Sequence, residues 1–182
     1  MLGVKTVYLI RHCKAEGQEP NAKLTSLGES QANELAQFLK GKQIDTIGSS
    51  PFNRAVSTIR PFAKEAEIEM ETDERLAERV LCSGENPNWP NMLERSFNDP
   101  ELAFEGGESG AAATKRGLKA INAILAKTKK YAAVVTHGNL MALILKYYDE
   151  SFGFEEWKAL SNPDVYEIRF EGEKPEIHRV WG

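Results

Sequence analysis

Cysteine is scarce: Cys13 and Cys82 are the only two, far apart and in no Cys-x-x-Cys spacing. That excludes a disulfide-stapled scaffold and a thiolate metal cage, and it points to a reducing, cytoplasmic setting. Long apolar runs are missing too. The N-terminal stretch MLGVKTVYLIRH is too short for a signal-peptide core or a membrane span and ends in the polar pair Arg11–His12, so neither export nor membrane attachment is expected. Positive charge is not in excess. The net charge is −4, with Lys and Arg scattered among Asp and Glu, which leaves no basic stripe for nucleic acid. There is no His-Glu-x-x-His, no tight acidic cluster after a strand, no repeat and no low-complexity linker, so no metal or other cofactor is expected.

What is present is enough chain, 182 residues, to bury one core without staples, so a single domain over 1–182 is expected. Short apolar runs (TVYLI, DTIGS, EIEME, AAVVT, VYEIRF, EIHRVW) read as strands and alternate with helical patterns (SLGESQANELAQFLKG, NRAVSTIRPFAKEA, SGAAATKRGLKAINAILAK, NLMALILKYY). The alternation predicts an α/β fold with a mostly parallel sheet, and EGEKP between the last two runs predicts a C-terminal antiparallel hairpin. The first helix is expected to start with a capping box of Ser26 and Glu29, to bury Leu27, Leu35, Phe38 and Leu39, and to stop at Gly41. Pro61 is expected to kink or shorten the second helix. The stretch 82–105 has no clear periodicity and mixes Trp89, Phe97 and Phe104 into polar sequence. It reads as an irregular, lid-like insertion.

In an open parallel sheet, ligands bind at the carboxyl ends of the strands. After TVYLI come Arg11 and His12; after DTIG comes SSPFNR, with Arg54 at a helix start; after AAVVT comes His137, then Gly138 and Asn139 as the expected helix cap. Each alone is weak. Two arginines and two histidines at three equivalent positions, two of them at helix N-termini, point to a phosphate. Such a set suits phosphoryl transfer, in which a neutral imidazole attacks phosphorus while positive groups hold the equatorial oxygens. Cys13 is a poor competitor, because a cysteine phosphatase loop needs an arginine where this chain has Glu19. Candidates to protonate the leaving oxygen are Glu74, Glu78, Glu85 and Glu108. His178, in the terminal hairpin, reads as structural.

These residues carry a resemblance to the histidine phosphatase superfamily, the phosphoglycerate mutase-like fold. LIRHCKAEG resembles its nucleophile motif, LTSLGESQA the start of its first helix, SSPFNRA its second arginine motif, Leu76–Glu78 the proton-donor segment, GGES the approach to a long helix, and VVTHG the second histidine motif. The resemblance implies a three-layer sandwich with helices on both faces of the sheet. It implies His12 as the nucleophile, Arg11, Arg54, His137 and Gln18 as phosphate contacts, and Glu78 as general acid and base. Glu108 reads as part of a helix cap beside Ser109. Cys13 departs from the usual glycine, Ala15 from a hydroxyl residue, and Gln18 from an asparagine.

The implied activity is that of a metal-independent phosphomonoesterase on a small phosphorylated molecule. A loop before LTSLG shorter than in the mutases favours hydrolysis over mutase chemistry, and Glu78 weighs against a phosphohistidine phosphatase. The presence of His12, Arg54 and His137 together weighs against a non-catalytic binding module.

Overall fold

A computed structural model describes residues 3–182; the first two residues of the N-terminal stretch considered above for a leader lie outside them. The strands are β1 (Lys5–Arg11), β2 (Thr46–Ser49), β3 (Met70–Thr72), β4 (Tyr131–Thr136), β5 (Asp164–Phe170) and β6 (Glu176–Trp181). The helices are α1 (Ser26–Leu39), α2 (Asn53–Ala66), α3 (Trp89–Asn98), α4 (Gly110–Lys127), α5 (Gly138–Tyr148) and α6 (Phe154–Lys158).

Alternating side chains in β1 and β4 divide the core. Val7, Leu9, Ala132 and Val134 pack with Ile121 and Ile124 of α4 and Leu140 and Ile144 of α5. Tyr8, Ile10, Ala133 and Val135 pack with Leu35 and Leu39 of α1 and Ile59 and Phe62 of α2. Strands buried on both faces therefore lie between two helical layers, each buried Leu or Ile contributing about 1.5–3 kcal/mol of transfer free energy. The three layers expected from the sequence are present.

The strand order is β3-β2-β4-β1-β5-β6. Strands β1 to β4 run parallel, whereas β5 is antiparallel to β1 and β6 to β5. Register fixes where the loops emerge: Arg11 lies opposite Thr136, and Ser49 opposite Val135. His12, Ser50 and His137 thus leave the sheet at one edge.

Several local expectations are corrected. The cap of α1 is Thr25, whose hydroxyl accepts from the Gly28 N–H, rather than Ser26, and Leu27 is exposed. Thr25 and Ser26 are adjacent and equally able to cap, so the sequence leaves the choice to the incoming chain. Gly41 does follow the helix end, with a positive φ of 86°. Helix α2 continues through Pro61 to Ala66; burial of Ile59, Phe62 and Ala63 outweighs the missing hydrogen bond. The 82–105 stretch contains α3, which buries Met92, Leu93 and Phe97. Helix α6 has no counterpart among the expected elements.

Asp45 joins the starts of β2 and β4. Its carboxylate accepts from the N–H groups of Lys129 (2.9 Å), Lys130 (2.8 Å) and Tyr131 (3.0 Å). Burial opposes the charge, but hydrogen bonds from Tyr131, Lys130 and neighbouring groups outweigh it and hold the carboxyl below its usual range. A depressed folded-state pKa stabilises the fold above the ordinary carboxylate range, and the contribution is lost as pH falls through the folded value. Asp45→Ala is expected to cost about 1–3 kcal/mol at neutral pH. Urea unfolding measured across pH checks this: the wild-type and variant midpoints are expected to converge in acid.

Candidate active site

His12 follows β1 directly and is buried. Its Nδ1 lies 2.7 Å from the Cys13 carbonyl oxygen, which can only accept, so Nδ1 carries the ring proton and Nε2 keeps the lone pair. Nε2 in turn accepts from Arg54 Nε at 3.2 Å. Burial, then the positive charges of Arg54 and Arg11, outweigh the Cys13 hydrogen bond and lower the His12 pKa to about 3. The imidazole is neutral at pH 7. Distant groups fix its backbone: the His12 N–H donates to Thr136 O (3.1 Å), and Asn162 Nδ2 donates to His12 O (2.9 Å).

Arg54, the second residue of α2, is 1 % exposed. Besides His12 it donates through Nη1 to the carbonyls of Gln18 and Glu19, both at 3.0 Å. The expected contact residue Gln18 therefore meets the site through its backbone, while its side chain is exposed at the cavity rim.

His137 caps α5 with its backbone and is fully buried. Its ring lies 5.1 Å from that of His12, at 63°. Its Nε2 is 2.8 Å from Ser50 Oγ, which already accepts from the Phe52 N–H at 3.2 Å. The Ser50 hydroxyl hydrogen has no other acceptor among the described residues, so donation to Nε2 satisfies that buried hydroxyl and assigns the ring proton to Nδ1. Burial, followed by His12 and the nearby arginines, lowers the His137 pKa well below that of a free imidazole. Arg11 anchors Nη1 on Leu160 O at 3.1 Å. A Cβ on Gly138 would sit 2.9 Å from Arg11 Nε, so the absence of a side chain there lets the guanidinium lie against the start of α5. Among the described residues, the buried side-chain N and O atoms without a partner are Arg11 Nε, His137 Nδ1 and Asn139 Oδ1. All three sit at this one site, and two are donors.

Glu78 stands just beyond the short 3-10 turn Glu74–Leu76. Its carboxylate accepts from the N–H groups of Asn139 (3.0 Å), Leu140 (2.9 Å) and Arg79 (2.8 Å). It performs the capping of α5 expected of Asn139. A carboxylate has about four lone-pair positions, so three N–H partners leave room for a proton. The segment before it is held by Arg116, whose Nη1 donates to Arg75 O and Ala77 O, each at 2.8 Å. Arg116 is ion-paired with Glu108 at 2.5 Å, while Ser109 caps α4 through the Ala112 N–H. Glu108 thus braces the Glu78 segment, and its neighbour alone makes the cap. Of the other carboxylates considered, Glu85 lines the cavity and Glu74 opens the 3-10 turn. His178 lies on exposed β6 near Glu176, away from the site.

A cavity of about 1060 Å³ runs outward from Arg11, Gln18, Glu78 and Asn139 to Leu81, Trp89 and Trp157. Trp89 lines it, whereas Phe97 packs into the core and Phe104 lies near Arg95. Cys13 is fully buried, with its N–H on Thr58 Oγ1 at 2.8 Å, and burial pushes its thiol up to about 11 despite the Thr58 hydrogen bond. Ser50, Thr58 and Asn162 escaped the sequence reading. Ser50 at least stands inside the SSPFNR motif, but nothing local marks Asn162.

The family model of the histidine phosphatase superfamily (branch 1) matches residues 7–181. A relative described as putative phosphoserine phosphatase 2 of Hydrogenobacter thermophilus is 28% identical over 188 residues, covering 94% of this chain and 92% of that protein. Among solved structures, Bacillus stearothermophilus YhfR superposes with a TM-score of 0.80 at 22% identity, covering 97% of this chain and 96% of that one. Mycobacterial glucosyl-3-phosphoglycerate phosphatase gives 0.78 at 20% identity, with 98% of each chain covered. At these identities the two structures speak for the fold.

Proposed function

This chain belongs to the histidine phosphatase superfamily, branch 1, and from that premise we propose that it hydrolyses a small-molecule phosphate monoester through a phosphohistidine formed on His12. The observation that carries the reading is the pair of buried, unpartnered donors, Arg11 Nε and His137 Nδ1, beside an imidazole whose Nε2 lone pair is defined by the Cys13 carbonyl on its other nitrogen. Buried donors without acceptors are costly, and an anion would satisfy them.

In this reading Arg11, Arg54 and His137 hold the phosphoryl oxygens. An entering phosphate gives Arg54 a better acceptor than His12 Nε2, which frees the lone pair. Nε2 then attacks phosphorus, the P–O bond to the alcohol breaks, and Glu78 gives its proton to the departing oxygen. Water next attacks the phosphohistidine and gives a proton to Glu78. The N–P bond breaks, returning neutral His12 and inorganic phosphate. The phosphoserine and glucosyl-3-phosphoglycerate named for the relatives support a small phosphorylated substrate. No helix among the described residues is long and apolar enough to cross a membrane, and two unpaired cysteines support a cytoplasmic setting.

The positive charge at the phosphoryl position comes from two guanidinium groups, so activity is expected to survive EDTA and to be inhibited by vanadate, which mimics the five-coordinate transition state. A steady-state assay on a panel of phosphate esters, with and without chelator, checks both. Loss on chelation with recovery on adding a divalent cation would count against the proposal.

A further inference from the structure

The outer half of the cavity differs in character from the phosphoryl end. The cations lining it are Arg11 and Arg79. Arg11 lies beside His137 and Gly138, at the phosphoryl position. Arg79 is 4 % exposed and already committed: Nη1 donates to Ser96 Oγ at 2.8 Å, and Nε and Nη2 donate to Glu108 O at 3.2 and 3.1 Å. Three of its five N–H groups are thus taken, so a second anionic group on a substrate would have at most the two remaining N–H groups of a guanidinium that is almost wholly buried. Glu85, on the outer wall of the cavity, would repel such a group.

The same cavity carries an aromatic wall. Trp89 is 46 % exposed and meets Trp157 edge to face at 5.9 Å. Trp157 stacks on Phe154 at 5.5 Å, and Phe154 meets Phe97 of the core. The ladder ties a half-exposed indole to the protein interior, so its face is held in place before anything binds. Leu81 extends the apolar lining.

We propose that this half of the cavity receives the alcohol portion of the substrate through an apolar or aromatic face, and that the preferred substrate carries no anionic group besides its phosphate. The inference rests on the phosphatase reading above and goes beyond it by naming the leaving-group class. It sets this chain apart from enzymes acting on phosphoserine or glucosyl-3-phosphoglycerate, whose substrates carry a carboxylate.

The test compares benzyl phosphate with 3-phosphoglycerate and phosphoserine. All three release an alkyl alcohol, so the demand for a proton on the leaving oxygen is similar. The kcat/KM for benzyl phosphate is expected to exceed both others by about tenfold or more. Trp89→Ala is expected to raise KM for benzyl phosphate roughly three- to tenfold without moving KM for 3-phosphoglycerate, and Trp89→Phe is expected to restore most of the loss. Equal or better use of 3-phosphoglycerate or phosphoserine, or a Trp89→Ala effect shared by all three esters, would overturn the inference while leaving the phosphatase reading intact. Hydrolysis of none of them, with no trapped phosphoenzyme, would overturn that reading and the inference with it.

Discussion

His12→Ala is expected to lower turnover by about 10⁴-fold or more while the protein stays folded. Binding by Arg11 and Arg54 would persist, but the route through a covalent intermediate would be gone, and water would have to attack the ester unaided. The acid limb of the wild-type pH profile carries a second signature. Because the His12 pKa is lowered to about 3, kcat/KM is not expected to fall near 6.5 through protonation of the nucleophile. Stability follows the same direction. A histidine whose folded pKa lies below its unfolded value of 6.5 leaves the unfolded chain binding more protons between the two values, so stability is full above about 6.5 and declines as pH falls toward 3. His12→Ala is therefore expected to lose less stability between pH 7 and pH 5 than wild type, measured by urea midpoints.

Glu78→Gln is expected to slow hydrolysis of alkyl phosphates by about 10²–10⁴-fold and that of 4-nitrophenyl phosphate far less, since a stable phenolate departs without a proton. The substitution also disturbs the cap of α5. An amide has one acceptor oxygen, so part of the hydrogen bonding from Asn139, Leu140 and Arg79 is lost. Any resulting displacement of α5 reaches Gly138 and His137 and would slow both esters alike. The alkyl-to-aryl ratio, rather than either rate alone, reports on proton transfer. Equal losses would move the proton donor elsewhere. Glu108 is engaged with Arg116, which leaves Glu85, on the cavity wall, as the next carboxylate to replace.

The parts of the site that were legible in the sequence are those set by short-range pattern and sheet register. Apolar runs that end in Arg11–His12, Ser49–Ser50 and Thr136–His137 declare strand ends, and parallel pairing of β1, β2 and β4 brings them to one edge. Less legible was what the long-range packing decides. Asn162 reaches the His12 carbonyl from 150 residues away, with no spacing rule to announce it. Glu78 was expected near the site on resemblance, yet its hold on the start of α5 depends on how the 3-10 turn meets that helix. In α3 the apolar residues Met92, Leu93 and Phe97 are too few within one short helix to set a period against the surrounding Pro, Asn and Gly. Phe154 and Trp157 of α6 gain their meaning from Trp89, which lies far away in sequence.

The central claim is that phosphorus is transferred to His12 and not to its neighbour Cys13, whose thiol is buried and held well above its ordinary pKa. Rapid quench of the wild-type enzyme with ³²P-labelled substrate is the direct measurement, because a phosphoramidate on nitrogen is labile in acid and stable in base. The expected result is a base-stable, acid-labile phosphoenzyme in wild type and Cys13→Ser, and none in His12→Ala. An adduct that maps to Cys13, or that persists in His12→Ala and disappears in a folded Cys13→Ser, would contradict the account.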